Sequence, residues 1–198
     1  VGGSVLEFYV DDPAQLKPRP TDDVDIVIEL FTRAAYDKFE EELRKKGFLN
    51  DITGPSCRMI YKDVKVDIIS IRESSAGFTN MWYEDGYKNK ISVKAGKYDI
   101  WIFPIEYFIA TKLVAFKNRG NGNLITSHDF EDIVYLFDGR QNIENDLTNC
   151  EGKIKEYLKT ELNKLLMNTS LREAIAAHTN YSYSQRSDRI LEIFKKTK

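Results

Sequence analysis

The chain is poor in the residues that build special chemistry by themselves. It has only two cysteines, Cys57 and Cys150, far apart and without neighbouring ligands, so neither a disulfide framework nor a thiolate zinc cluster can form. It has two histidines, His128 and His178, and neither has Cys or His companions at metal-binding spacing. Two thiols without a framework lead us to expect a reducing, cytoplasmic setting. No apolar run approaches the roughly 18 residues a membrane span needs, so no membrane partner is expected. No signal-peptide pattern opens the chain, and no glycine-rich loop ending in Gly-Lys-Ser/Thr is present. The sequence begins at Val1 rather than methionine, from which we expect the natural N-terminus to lie further upstream.

What is present is ordinary globular composition. The 198 residues are 42% hydrophobic and 30% charged, enough for one core or one and a half. Lys and Arg number 29 against 31 Asp and Glu, which excludes a strongly basic nucleic-acid coat. The balance is uneven, because residues 151–198 hold ten basic against six acidic side chains. An acidic front and a mildly basic tail suit a metal site in front and weak polyanion contact behind. Ordinary variation of surface charge gives the same pattern.

The front of the chain reads as strands and the rest as helices. Residues 24–30 alternate and are β-branched, predicting a strand with Val24, Ile26, Ile28 and Leu30 on the core face. Residues 32–46 predict a helix stopped by Gly47. Residues 57–62 and 64–71 predict two strands about a tight turn at Lys62-Asp63, and 91–95 and 98–103 predict two more. Pro104 opens a helix to about Arg119, broken at Gly120-Asn121-Gly122-Asn123. Thr126 or Ser127 caps the next, to about Phe137. From Glu144 onward the pattern is helical, with shorter helices at 170–177 and 186–196. The expected fold is α+β, divided at 103/104 into a mixed-sheet front and a helical C-terminal part.

Carboxylates dominate the chemistry. Asp23 and Asp25 share a strand face opposite the apolar one, side by side at the start of a rigid element. Hard divalent cations want such oxygen arrays, although aspartates also open strands simply as turn residues. Asp67 lies inside the very apolar run Val66-Asp67-Ile68-Ile69, where a bare charge is costly and needs a partner or a metal. Upstream, Gly2-Gly3-Ser4 offers close backbone approach and a hydroxyl donor to a phosphate, or just a flexible turn. Lys112 falls on the apolar stripe of its helix, four residues from both Phe108 and Phe116, so it either snorkels or points into a cleft. Asp129 and Asp132 sit early in their helix, where the dipole favours carboxylates regardless of function. Arg119 equally suits a helix C-terminus. Trp82, Tyr83 and Tyr87 read as core rather than as a stacking platform. Tyr181 and Tyr183 stand beside Arg186 and Arg189, an arrangement that could touch RNA.

Taken in order, Gly2-Gly3-Ser4, Arg19-Pro20-Thr21-Asp22-Asp23-Val24-Asp25 and Asp67 resemble the Gly-Ser…Asp-x-Asp signature of the nucleotidyltransferase superfamily. The Arg-x-Thr-x-Asp-x-Asp form is most similar to AbiEii-type nucleotidyltransferases, many of them toxins of toxin–antitoxin pairs. Lys112-Leu113-Val114-Ala115 followed by Arg119, and His128-Asp129-x-x-Asp132, resemble two further motifs of that family. The resemblance implies a nucleotidyltransferase-type mixed sheet with flanking helices and a helical C-terminal subdomain. It implies transfer of a nucleoside monophosphate from an NTP to an acceptor hydroxyl, an RNA or tRNA end, with a protein antitoxin as partner. Asp23, Asp25 and Asp67 would hold two Mg²⁺, with Asp67 helping to deprotonate the acceptor. Gly3 and Ser4 would bind phosphates. Lys112 would neutralise the triphosphate, and Asp129 or Asp132 would orient Lys112 or the acceptor. Arg119 and Asp132 join the nucleotide-binding set. Two departures stand out: eighteen residues separate Ser4 from Asp23, a longer gap than the family's, and His128 replaces the family's lysine. They leave open a small-molecule or protein acceptor, or a non-catalytic nucleotide-binding module.

Overall fold

The computed structural model describes residues 1–30, 32–71, 80–119, 122–179 and 184–197. Tyr181, Tyr183, Gly120 and Asn121 lie outside the described residues. The chain divides into two compact units, Val1–Val5 with Arg19–Phe103, and Leu6–Pro18 with Pro104–Lys198. The protein is α+β. A short 3-10 segment, Gly3–Phe8, begins in the first unit and ends in the second.

In the first unit, β1 (Asp23–Ile28), β2 (Phe48–Asn50), β3 (Arg58–Tyr61) and β4 (Val64–Ser70) form a four-stranded mixed sheet in the order β1-β4-β3-β2. β1 runs parallel to β4, and the other pairs are antiparallel. The parallel pair needs a crossover, and α1 (Arg33–Lys45) supplies it. Thr32 caps α1, its Oγ1 accepting from Ala35 N at 3.1 Å. Gly47, with φ +95°, turns the chain out of it. Between β3 and β4 a two-residue loop puts Lys62 at φ +55° and fixes the hairpin register.

α1 lies on one face of this sheet. Tyr36, Met59, Val66 and Ile68 make a small core there, packed by Ile28, Leu30, Phe39, Leu43 and Phe48. The Tyr36 hydroxyl donates to Ile68 O at 3.1 Å. Burial, with Glu40 beside it, pushes that hydroxyl's pKa up to about 12. The expectation that Ile26 faces the core is corrected: it is 42% exposed, because β1 is an edge strand and the packing reaches only its far end at Ile28 and Leu30. The unit also holds α2 (Tyr83–Lys88) and a separate hairpin, β5 (Ile91–Ala95) with β6 (Tyr98–Ile102). Trp82 is buried, and Gly86 sits flush against the Phe103 ring, where a Cβ would come within 2.6 Å.

The second unit is helical: α3 (Ile105–Arg119), α4 (His128–Gly139), α5 (Ile143–Asn149), α6 (Lys153–Leu166), α7 (Leu171–His178) and α8 (Ser184–Lys196). The phenylalanines 108, 130, 137 and 194 are fully buried and are the largest side chains in its core. Asp11 N and Asp12 N donate to Gly139 O, and Arg140 Nη1 donates to Tyr9 O, tying Leu6–Pro18 to these helices. Among the described residues no helix is long and apolar enough to cross a membrane.

Candidate functional site

The carboxylates gather on the sheet face opposite α1. Strand alternation puts Asp23 and Asp25 on that face of β1, and pairing sets Asp25 beside Asp67 of β4 and Arg58 of β3 across from Asp67. Arg58 grips Asp67 with its fork, Nε to Oδ1 at 2.6 Å and Nη2 to Oδ2 at 2.8 Å. The same Nη2 reaches Asp23 Oδ2 at 3.0 Å. The Arg58 side chain is 17% exposed and Asp67's is 13% exposed. Hydrogen bonding to Asp67 raises the Arg58 pKa further, against burial that opposes it. The partner that Asp67 requires inside its apolar strand is therefore an arginine.

On the same face, Asp25 lies against the N-terminal segment. Gly2, at φ +82°, packs so closely on it that a Cβ would lie 1.9 Å from Asp25 Oδ2. Val1 N donates to Asp25 O at 3.1 Å, running the N-terminal residues alongside β1. The close-approach glycine is thus Gly2, next to the expected Gly3. Ser4 Oγ is buried and makes no hydrogen bond among the described residues. The structure brings Asp23 and Asp67 together on one cation and Asp25 against the Gly-Gly-Ser segment. Among the described residues no group of three or more His, Cys, Asp or Glu side chains gathers closely enough to hold a metal ion.

The oxygens of these carboxylates are the donor type a hard divalent cation takes, but as they stand they are not gathered into a site for one. Carboxylate oxygens from two strands already surround one positive charge, that of Arg58, and the glycine cradle leaves no side chain between Asp25 and the N-terminal segment.

The second unit holds its own charged cluster. Lys112 sits in the middle of α3, its side chain 8% exposed, with Nζ 3.3 Å from Asp129 Oδ1 and 2.6 Å from Asp132 Oδ2. Lys112 therefore does not snorkel to the surface. Arg119, one to two turns later, makes a bidentate pair with Asp129 at 2.8 and 2.9 Å. Burial pushes the Asp129 carboxyl up, but the Arg119 hydrogen bonds and the Lys112 charge outweigh it, and the net shift is downward. α4 presents both aspartates from its first turns, started by Ser127, whose Oγ accepts from Phe130 N at 3.3 Å. His128 is exposed, with Nδ1 3.1 Å from Glu131 Oε2 and not among the Lys112 partners.

Arg58 is the site residue that motif reading passes over, whereas Gly2 stands in the Gly2-Gly3-Ser4 motif but without a role of its own there. Register could have found Arg58, because a two-residue turn at 62–63 places residue 58 across from residue 67. Neither family models, nor curated proteins, nor solved structures yield a match to this chain.

Proposed function

We propose that the protein is a metal-dependent nucleotidyltransferase of nucleotidyltransferase-type fold, moving an NMP from an NTP to an acceptor hydroxyl and releasing pyrophosphate. One observation carries the reading. Gly2 and Asp25, far apart in sequence and each part of a weak motif, lie in contact, and two residues beyond the glycine is the buried Ser4 hydroxyl, which has no hydrogen-bond partner among the described residues. A hydroxyl buried without a partner is costly unless something is to be bound there, and phosphate oxygen is a suitable acceptor for it. Asp23, Asp25 and Asp67 would hold Mg²⁺, which when bound supplies charge neutralisation at the transferring phosphate. Asp67 would take the proton of the attacking hydroxyl. In the helical unit Lys112 is held between Asp129 and Asp132.

The test uses each α-labelled NTP with Mg²⁺ and total RNA, comparing the protein with Asp25→Asn. The expected outcome is label in RNA from the wild type only, with transfer by the variant lower by at least about 100-fold, the scale of losing one preorganised electrostatic group. Transfer retained by a folded Asp25→Asn protein refutes the assignment.

We infer RNA as the acceptor. Residues 86–103 carry four lysines against one aspartate, whereas 19–85 carry ten basic against fourteen acidic side chains. On this stretch Trp101 is 62% exposed, and Lys90 Nζ lies 5.8 Å from its ring centre. Tyr98 is 64% exposed beside Lys97. Exposed rings interleaved with lysines suit stacked bases and a phosphate backbone. A second reading, a nucleotide-binding module without turnover, is favoured by the arginine among the aspartates. NTP binding with no transfer to any acceptor would establish it.

A further inference from the structure

The four-stranded sheet has two margins. Beside β1 run the N-terminal residues, with Val1 N donating to Asp25 O. Beyond β2 no strand lies among the described residues. Asp51 N donates inward to Arg58 O, in register with the Leu49–Ile60 pair. Antiparallel alternation therefore turns the N–H and C=O groups of Phe48 and Asn50 outward, onto an open edge. Apolar side chains flank that edge: Leu49 is 68% exposed and Ile52 96% exposed. Lysines flank it too. Residues 44–65 carry six basic side chains against two acidic ones. Arg44, Lys45 and Arg58 are paired with Glu40, Glu41 and Asp67, whereas Lys46 and Lys62 make no ion pair among the described residues. Both stand at the Phe48 end of β2. Phe48 stacks on Tyr61, its cross-strand partner, and Lys62 Nζ lies 5.4 Å from the Tyr61 ring centre. At the other end Asp51 turns its carboxylate onto Thr53 N and Gly54 N, at 2.9 and 3.1 Å.

We propose that the β2 edge is a docking site for an extended, acidic segment of a partner protein, which adds to the sheet as a fifth strand. The inference is independent of the transferase reading. The main-chain groups of Phe48 and Asn50 supply the hydrogen bonds, and Leu49 and Ile52 receive apolar side chains of the incoming strand. Lys46 and Lys62 supply the choice of partner. Lysines beside an open edge repel basic strands and so guard against indiscriminate pairing, while the same charges attract an acidic one. A nucleic acid would meet the lysines but leave the outward carbonyls and Ile52 unmatched.

The test titrates the full chain with two synthetic peptides of about six residues, a typical strand length, one alternating Glu-Val and the other Lys-Val. Binding is followed by NMR, with hydrogen exchange read at single amides. The Glu-Val peptide should bind and protect the Phe48 and Asn50 amides, and the Lys-Val peptide should not. Asn50→Pro removes one outward N–H and leaves the ladder to β3 intact, as edge strands allow. It should weaken Glu-Val binding about fivefold relative to Asn50→Ala, which keeps the N–H, the worth of one hydrogen bond. Lys46→Glu with Lys62→Glu should exchange the preference, so that the Lys-Val peptide binds instead. If Asn50→Pro does not fold, this exchange carries the test. Equal binding of the two peptides, or binding of neither, overturns the proposal. Protection that rises with protein concentration alone would assign the edge to a second copy of the chain and overturns it as well. So does protection by a single-stranded oligoribonucleotide that the Glu-Val peptide does not reproduce.

Discussion

Asp129 is the residue whose environment makes the sharpest statement about pH. Two cations share it, Arg119 through two hydrogen bonds and Lys112 through one, while the carboxylate is nearly sealed from water. Its pKa in the folded protein lies below the ordinary 3.8. A carboxylate depressed in this way contributes stability that is complete above its unfolded pKa and fades as pH falls through the folded one. Asp129→Asn should therefore cost about 1–3 kcal/mol near neutral pH, the cost of leaving Lys112 and Arg119 underserved. The difference between wild type and variant should shrink once the pH drops below about 4. Urea midpoints of both proteins across that range check the sign; a constant difference would show that ionisation of Asp129 is not the source. At this scale much was legible. A charge at Asp67 within an apolar strand demanded a partner, and Lys112 on an apolar stripe had either to snorkel or to point inward. The partner's identity was not, because Arg58 belongs to no motif and becomes visible only through strand register.

Helices declared themselves by period and by their ends. Thr32, Ser127 and Gly47 mark starts and a stop that the sequence announces in side-chain chemistry. Shorter elements did not. β2 has three residues, too few for alternation to register, and α2 carries Gly86 in its interior, a residue that argues against helix. The helical pattern after Glu144 hides a break. α5 and α6 are separated by Gly152, whose φ of 70° and ψ of −152° lie in a region nearly closed to side chains. A Cβ there would meet nothing within 4 Å, so backbone strain is the whole effect of a substitution. Gly152→Ala should cost about 1–3 kcal/mol. Gly152→Asn should not restore it, since asparagine's tolerance is for the left-handed helical region and not for this one. Chemical denaturation of the two variants distinguishes this from a crowding effect, which would make the larger side chain distinctly worse.

Over the whole molecule, charge counted along the chain misplaces the basic surface. The C-terminal stretch has an excess of Lys and Arg, yet many of these already have acidic partners. Arg172 pairs with Asp188 at 2.6 Å, Arg186 with Asp138 at 2.6 Å, Lys164 with Glu161 at 2.8 Å, and Lys196 with Glu144 at 3.1 Å. Composition records how many charges there are and nothing of what they face. On the β5–β6 hairpin Lys97 has no ion-pair partner among the described residues, and Lys90 lies over the rings of Tyr87 and Trp101. RNA bound there would release few counterions. Lys94 is paired with Asp99 at 2.8 Å, so with Lys90 and Lys97 engaged log K should fall with log salt at a slope of about −1.4, from roughly 0.7 per phosphate contact on a single strand. The chain has two tryptophans, and Trp82 is only 4% exposed. Quenching of intrinsic fluorescence by a single-stranded oligoribonucleotide therefore reports on Trp101. Trp101→Ala should abolish the signal and weaken binding by about 1–3 kcal/mol, the worth of one stacked base. Lys97→Ala should flatten the salt slope by about 0.7. A slope of about −5 or steeper, unchanged by Lys97→Ala and without quenching, would move the RNA off the hairpin and onto the C-terminal helices.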